Sequence, residues 1–294
     1  MQAFTRSTVW FSATIGLLLG VGVGAISALG LDSGWCPGVV AFVGTLAIAL
    51  RKPLRRWRLV REPMASRQKE WLNAQVEFYR SLEPEDWARF EADVQIVLSE
   101  WRFEGVGGAE VTEHRRLSVA AGAALLLHGH PEWELPYRQT VLFYTENFGD
   151  DYETEPEGEF DGMAHQQGPV ILSARALDDC WSSDPEDGNV VLHELAHLLD
   201  YKTEFADGIP SLVDARSADA WSDLVLQEMD RVDRGDSILP DYAATEPAEL
   251  FACAVESFFM EPDLLERHHP ELFVALRVLF NLDPRSSRTP REQS

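Results

Sequence analysis

The sequence predicts an α+β protein, a mostly helical globular domain with a small sheet, preceded by two transmembrane helices. Three observations carry that expectation. Two uncharged apolar runs open the chain, apolar residues then recur at three- and four-residue spacing from about Glu70 to Leu127, and short β-prone runs follow at 140–144 and 169–173. The 294 residues are 45% apolar, which excludes wholesale disorder and suits one large domain or two small ones.

The net charge of -24 hides an asymmetry. Residues 1–61 carry seven basic side chains, Arg6 and the Arg51–Arg61 cluster, against Asp32 alone, giving +6; the remainder carries 18 basic and 48 acidic groups, or -30. So acidic a chain is excluded as a general binder of nucleic acid backbones. Val9–Leu29 supplies 21 mostly apolar residues, about 31 Å as a helix at roughly 1.5 Å per residue, enough to cross a bilayer. Gly34–Leu50 supplies 17 more after the turn-like Asp32-Ser33-Gly34. Together they read as a membrane hairpin, with the lipid bilayer as partner of residues 9–50. The basic cluster after Leu50 would stay on the cytoplasmic side, so the expected location is the inner membrane with the globular domain in the cytoplasm. Cys36, Cys180 and Cys253 form no CxxC pair and no disulfide framework. The units expected are residues 1–61, a globular domain over 62–283, and a disordered tail over 284–294.

Within the globular part, Trp71, Val76, Phe78 and Tyr79 are expected to face a core. Pro84-Glu85-Asp86 reads as a helical first turn, leading to an apolar stripe through Trp101 that Gly105, Gly107 and Gly108 stop. Leu117–Leu127, after Thr112, reads as a buried helix closed by Gly129 and Pro131. Between the β-prone runs, Asp150–Asp161 holds seven acids and no base. It reads as a solvated loop or as a rim that attracts positively charged substrate ends.

The chemistry concentrates in Asn189-Val190-Val191-Leu192-His193-Glu194-Leu195-Ala196-His197-Leu198-Leu199-Asp200. On a helix His193 and His197, four apart, point the same way and can close on one ion, while Glu194 can reach a water without entering the coordination shell. This is the zincin arrangement. A third protein ligand is needed, and His114, His128, His130, His268 and His269 lie in unrelated elements or turns. A helix beginning near Thr245, with Pro247 tolerated in its first turn, carries Glu249 and Glu256 seven apart on one face. Spacing leaves both acids open. Asp200 is placed to orient a ligand imidazole, with capping or a surface role as alternatives. Cys253 leans toward the same face and reads as a small core residue rather than a ligand.

Four ordered motifs then carry a resemblance. The His193–Asp200 run, Gln166-Gln167-Gly168-Pro169, Asp207-Gly208-Ile209-Pro210, and Tyr242-Ala243-Ala244 leading to Pro247-Ala248-Glu249 resemble the zinc metallopeptidases of the Mlc titration factor A (MtfA) type over about residues 80–284. The resemblance implies a zincin-like domain with a gluzincin-like site. It implies one Zn2+ per chain held by His193, His197 and Glu249, Glu194 as general base, Tyr242 as transition-state donor, and Glu256 supporting a ligand from behind or packing. The implied activity is zinc-dependent hydrolysis of peptide bonds in a peptide or protein substrate through a metal-activated water, by a membrane-tethered domain facing the cytoplasm. Members of that family also bind a transcriptional repressor, so a regulatory protein that sequesters a repressor, with the metal site secondary, is the alternative. The complete set of ligands, base and donor favours catalysis, since a pure binder has no need of the base.

Overall fold

A computed structural model describes residues 36–135, 139–145, 162–164, 168–182, 188–200 and 217–285. The chain divides into two compact units, Met1–Pro63 and Met64–Ser294. In the first, α1 spans Cys36–Leu59 and contains Pro53. This corrects the expected second membrane span. The helix does not end at Leu50 but continues through the basic cluster, and its uncharged portion, 36–50, is about 22 Å long at roughly 1.5 Å per residue, short of a hydrocarbon core of about 30 Å. Among the described residues no helix is long and apolar enough to cross a membrane. The first expected span, 9–29, lies outside the described residues. The described fold is therefore α+β without transmembrane helices among the described residues, and nothing in them supports the lipid partner.

The second unit begins with α2 (Ser66–Gln75), α3 (Glu77–Ser81) and α4 (Pro84–Glu100). As the sequence predicts, Pro84 occupies the first turn of α4 with Glu85 and Asp86 beside it, where a missing N–H costs nothing and negative charge suits the helix N-terminus. Phe90, Val94 and Val97 form its buried stripe. The helix ends before Trp101, and Arg102–Gly105 forms strand β1 where the sequence analysis expected only a helix stop. Helix α5 (Glu113–Leu127) is capped by Thr112, whose hydroxyl accepts the Arg115 N–H at 3.3 Å, and is buried from Leu117 to Leu127.

Strands β2 (Thr140–Tyr144), β3 (Gly162–Ala164) and β4 (Val170–Ser173) complete a four-stranded sheet in the order β1-β2-β4-β3. The first three run parallel, with Arg102 opposite Thr140 and Val141 opposite Val170; β3 runs antiparallel to β4, with Gly162 opposite Leu172. Alternation puts Val141 and Phe143 of β2 in the core, whereas every residue of β4 is buried, as expected for a strand covered on both faces. Helix α6 (Ala174–Asp179) follows, capped by Ser173.

The remaining elements are helical: α7 (Val190–Asp200), α8 (Ala218–Asp233), a 3-10 turn at Asp241–Ala244, α9 (Pro247–Met260), α10 (Pro262–His268) and α11 (Pro270–Phe280). Proline opens each of the last three helices. Phe258 of α9 packs against Phe273 and Phe280 of α11 with ring centroids 5.4 and 5.8 Å apart, and all three are fully buried. Packing of α7 against α5, α9 and β3 sets up the site. Arg285, expected in the disordered tail, pairs with Asp283 at 2.8 Å, Asp263 at 3.1 Å and Glu266; residues 286–294 lie outside the described residues.

Candidate metal centre

Asn189 starts α7. Its side-chain oxygen accepts the Leu192 N–H at 3.0 Å and its carbonyl accepts the His193 N–H at 3.0 Å, so the first turn is closed one residue before the first histidine. Val191, Leu192, Leu195, Ala196 and Leu199 bury the helix, and the polar residues Glu194, His197 and Asp200 are buried with it. The His193 and His197 rings, one turn apart, lie with centroids 5.1 Å apart and planes at 78°.

Glu249, in the first turn of α9, meets both rings. One carboxylate oxygen is 3.2 Å from His193 Nε2 and the other 3.5 Å from His197 Nε2. One donor atom from each of the three residues falls within 4.8 Å of the others, the one such group among the described residues. Two imidazoles and a carboxylate converging from two packed helices fit a transition-metal ion and leave room in a tetrahedral shell for water or substrate. Of the two acids that spacing left open, Glu249 joins the donor cluster. Glu256 stands on the other side of His193: its Oε1 accepts the Asn189 N–H at 2.7 Å and its Oε2 is 3.6 Å from His193 Nδ1. Gly188 makes room for it, since a Cβ there would lie 2.8 Å from Glu256 Oε1 and the backbone has φ of +62°.

The electrostatics follow from this crowding. Burial acts against the charge of Glu249, but the hydrogen bond from His193 and the charges of both histidines hold its carboxyl below the ordinary range. Burial likewise opposes a charged His193, yet hydrogen bonds to Cys253, Glu249 and Glu256 raise it well above a free imidazole. His197 is pushed down to about 4, by burial first and by the neighbouring His193 charge second. Metal binding needs neutral imidazoles and an ionised carboxylate, so loading this cluster is coupled to proton release.

Glu194 is buried outside the donor cluster, against the edge strand β3. A Cβ on Gly162 would lie 2.6 Å from both Cγ and Oε1 of Glu194, so the strand leaves space for this carboxylate only because residue 162 has no side chain. Tyr242, in the 3-10 turn, has its ring 6.1 Å from that of His193. Half of its surface is exposed, but burial of the hydroxyl end, the hydrogen bond to Cys253 and the charges of Glu256 and Glu249 hold the phenol above its ordinary range. It stays protonated and can donate.

Asp200 is fully buried at the end of α7, which removes the surface role considered for it. Cys253 is buried as expected, and its thiol lies close enough to His193 and Tyr242 to influence the titration of both. Sequence reasoning missed Gly162, Gly188 and Asn189. Asn189 carried a readable signal, a capping residue type directly before an apolar helical run; the two glycines carried none, because their neighbours are distant in sequence. The acidic stretch 150–161, Gln166-Gln167 and Asp207–Pro210 lie outside the described residues. His128 and His269, set aside as ligands, are buried elsewhere, the first beside Arg89 and the second beside Glu228.

Residues 51–281 match the family described as glucose-regulated metallo-peptidase M90. An uncharacterized protein of Synechocystis sp. is 28% identical over 249 residues, covering 78% of this chain and 89% of the relative. The Mlc titration factor A of Salmonella choleraesuis is 30% identical over 232 residues, 73% of this chain and 86% of the relative. That of Klebsiella pneumoniae is 36% identical over 135 residues, 43% of this chain and 50% of the relative.

Proposed function

The chain belongs to the glucose-regulated metallo-peptidase M90 family, and on that premise we propose that it is a zinc-dependent peptidase, hydrolysing peptide bonds with His193, His197 and Glu249 as zinc ligands, Glu194 as general base and Tyr242 as hydrogen-bond donor. The observation that carries this reading is the convergence of the three ligand atoms within 4.8 Å from α7 and α9. When bound, zinc supplies a Lewis acid that makes water acidic and polarises a carbonyl. Glu194 takes the proton of the attacking water and passes it to the amine as the C–N bond breaks. The Tyr242 phenol, kept protonated by its surroundings, donates to the oxygen that gains charge. Glu256 holds His193 from behind through the helix N-terminus at Asn189.

The test uses the full-length chain, its zinc content, and hydrolysis of a mixed peptide library by the parent and Glu194→Gln. The variant is expected to keep its zinc and lose about 100- to 10,000-fold in rate, the usual worth of a positioned base. A zinc-loaded variant that cleaves as fast as the parent would overturn the mechanism.

A second reading is supported by the name of the relatives, Mlc titration factor A. In this reading the protein binds and sequesters a transcriptional repressor, and Glu194→Gln leaves that binding intact.

A further inference from the structure

Away from the metal centre, a second buried cluster joins three segments. Glu228 and Arg231 come from α8, His269 from the junction of α10 and α11, and Ser237–Leu239 from the loop that follows α8. His269 is fully buried and Glu228 nearly so. The Ile238 N–H donates to His269 Nε2 at 3.3 Å and the Ser237 hydroxyl lies 3.2 Å from the same nitrogen, which assigns the proton to Nδ1; Nδ1 lies 2.5 Å from Glu228 Oε2, to which it donates, and 3.1 Å from Arg231 Nη1. Arg231 Nη1 reaches both Glu228 oxygens at 3.2 Å, and Nη2 binds the carbonyls of His268 at 2.8 Å and Asp236 at 3.3 Å.

The loop held by this cluster runs directly into the 3-10 turn that carries Tyr242. Between the grip at Ile238 and the tyrosine stand buried Leu239, whose N–H is bound by Ser237 Oγ at 3.0 Å, then Pro240 with its fixed φ, then Asp241. The turn closes on Pro240 itself, whose carbonyl accepts the Ala243 N–H at 2.9 Å. This leaves the path from residue 238 to 242 little slack. A buried ionic cluster gains little stability over an apolar one of equal volume, but its hydrogen bonds are directional, and here they engage Ser237 and Ile238.

We propose that Glu228 and His269 are positioning residues for Tyr242: by gripping Ser237 and Ile238 they set where the phenol stands over the metal centre. The inference rests on the peptidase reading for its catalytic consequence, but its geometric content does not.

The full-length, zinc-loaded chain labelled with 3-fluorotyrosine tests both. Parent, His269→Gln, His269→Asn and Ser237→Ala are compared in peptide hydrolysis, each with and without Tyr242→Phe, and in the 19F resonance of Tyr242, assigned by its loss in Tyr242→Phe. Gln keeps an acceptor near the Nε2 position and is expected to retain most activity. Asn keeps only the Nδ1 side and is expected to lose about tenfold in kcat with KM within about twofold, the size of effect that a sub-ångström misplacement produces. Ser237→Ala, which leaves the buried pair intact and guards against a misfolded His269 variant, is expected to lose a few-fold. In the Tyr242→Phe background each cost should shrink below about twofold, and the 19F line should move in His269→Asn. Equal costs in both backgrounds, or a Tyr242 line that does not move, would overturn the proposal. If the parent hydrolyses no peptide the peptidase reading fails, and the 19F line alone decides the positioning.

Discussion

The protein buries two histidine–carboxylate clusters, and they differ in what faces the carboxylate. At the metal centre Glu249 is met by two imidazoles, through Nε2 of His193 at 3.2 Å and Nε2 of His197 at 3.5 Å. In the α8–α11 cluster Glu228 is met by one imidazole and a guanidinium, and both ring nitrogens of His269 are engaged by the fold itself. The second cluster is a closed set of donors and acceptors, while the first brings two imidazole nitrogens and a carboxylate from two helices to one place. That difference separates a ligand histidine from a structural one more sharply than burial does, since both clusters are buried.

The largest expected effect comes from removing the shared carboxylate. Glu249→Ala should weaken zinc retention, measured by chelator competition, by at least about 100-fold, while His269→Asn leaves it within about twofold. Equal losses would erase the distinction drawn between the clusters. Gly162→Ala comes next. Its new Cβ would collide with Glu194, as the 2.6 Å approach requires, so peptide hydrolysis should fall by roughly 100-fold with zinc content unchanged. Glu256→Ala should cost about 10- to 100-fold in zinc affinity, less than Glu249→Ala, as expected of a group that orients a ligand. The reverse order would exchange the roles of the two acids.

A third buried histidine supplies the smallest effect. His128 accepts from Arg89 Nη2 at 2.8 Å and packs edge-on to Phe78, and burial, with the Arg89 charge second, pushes it down to about 3. Between about pH 6.5 and pH 3 the unfolded chain therefore binds a proton that the folded protein refuses. The unfolding free energy rises with pH across that window, and this contribution is lost as pH falls from about 6.5 toward 3. Urea unfolding at pH 7.5, 5.5 and 4.5 should show a shallower pH slope in His128→Gln than in the parent; parallel slopes would mean that His128 is not the group responsible.

Much of this was legible in the sequence for reasons of range. The pairing of His193 with His197 and the start of α9 at Pro247 depend on residues within one or two turns, and so does the capping of α5 by Thr112. The strand β1 was hidden because Arg102–Gly105 is short and pairs with a strand some 38 positions later in the sequence. The expected end of a membrane span at Leu50 failed because hydropathy ignores helix continuity: Arg51 and Lys52 are good helix formers and carry α1 on to Leu59.

By itself, then, the sequence determined the helical period that aligns two histidines and the glutamate beside them, local matters of spacing. Only the tertiary structure brought Glu249 rather than Glu256 within reach of both imidazoles, left no room for a side chain at 162, and paired His269 with Glu228 away from the other histidines. Those outcomes depend on which faces of α7, α8, α9 and β3 meet, and helical periodicity places residues on a face without specifying what that face will touch.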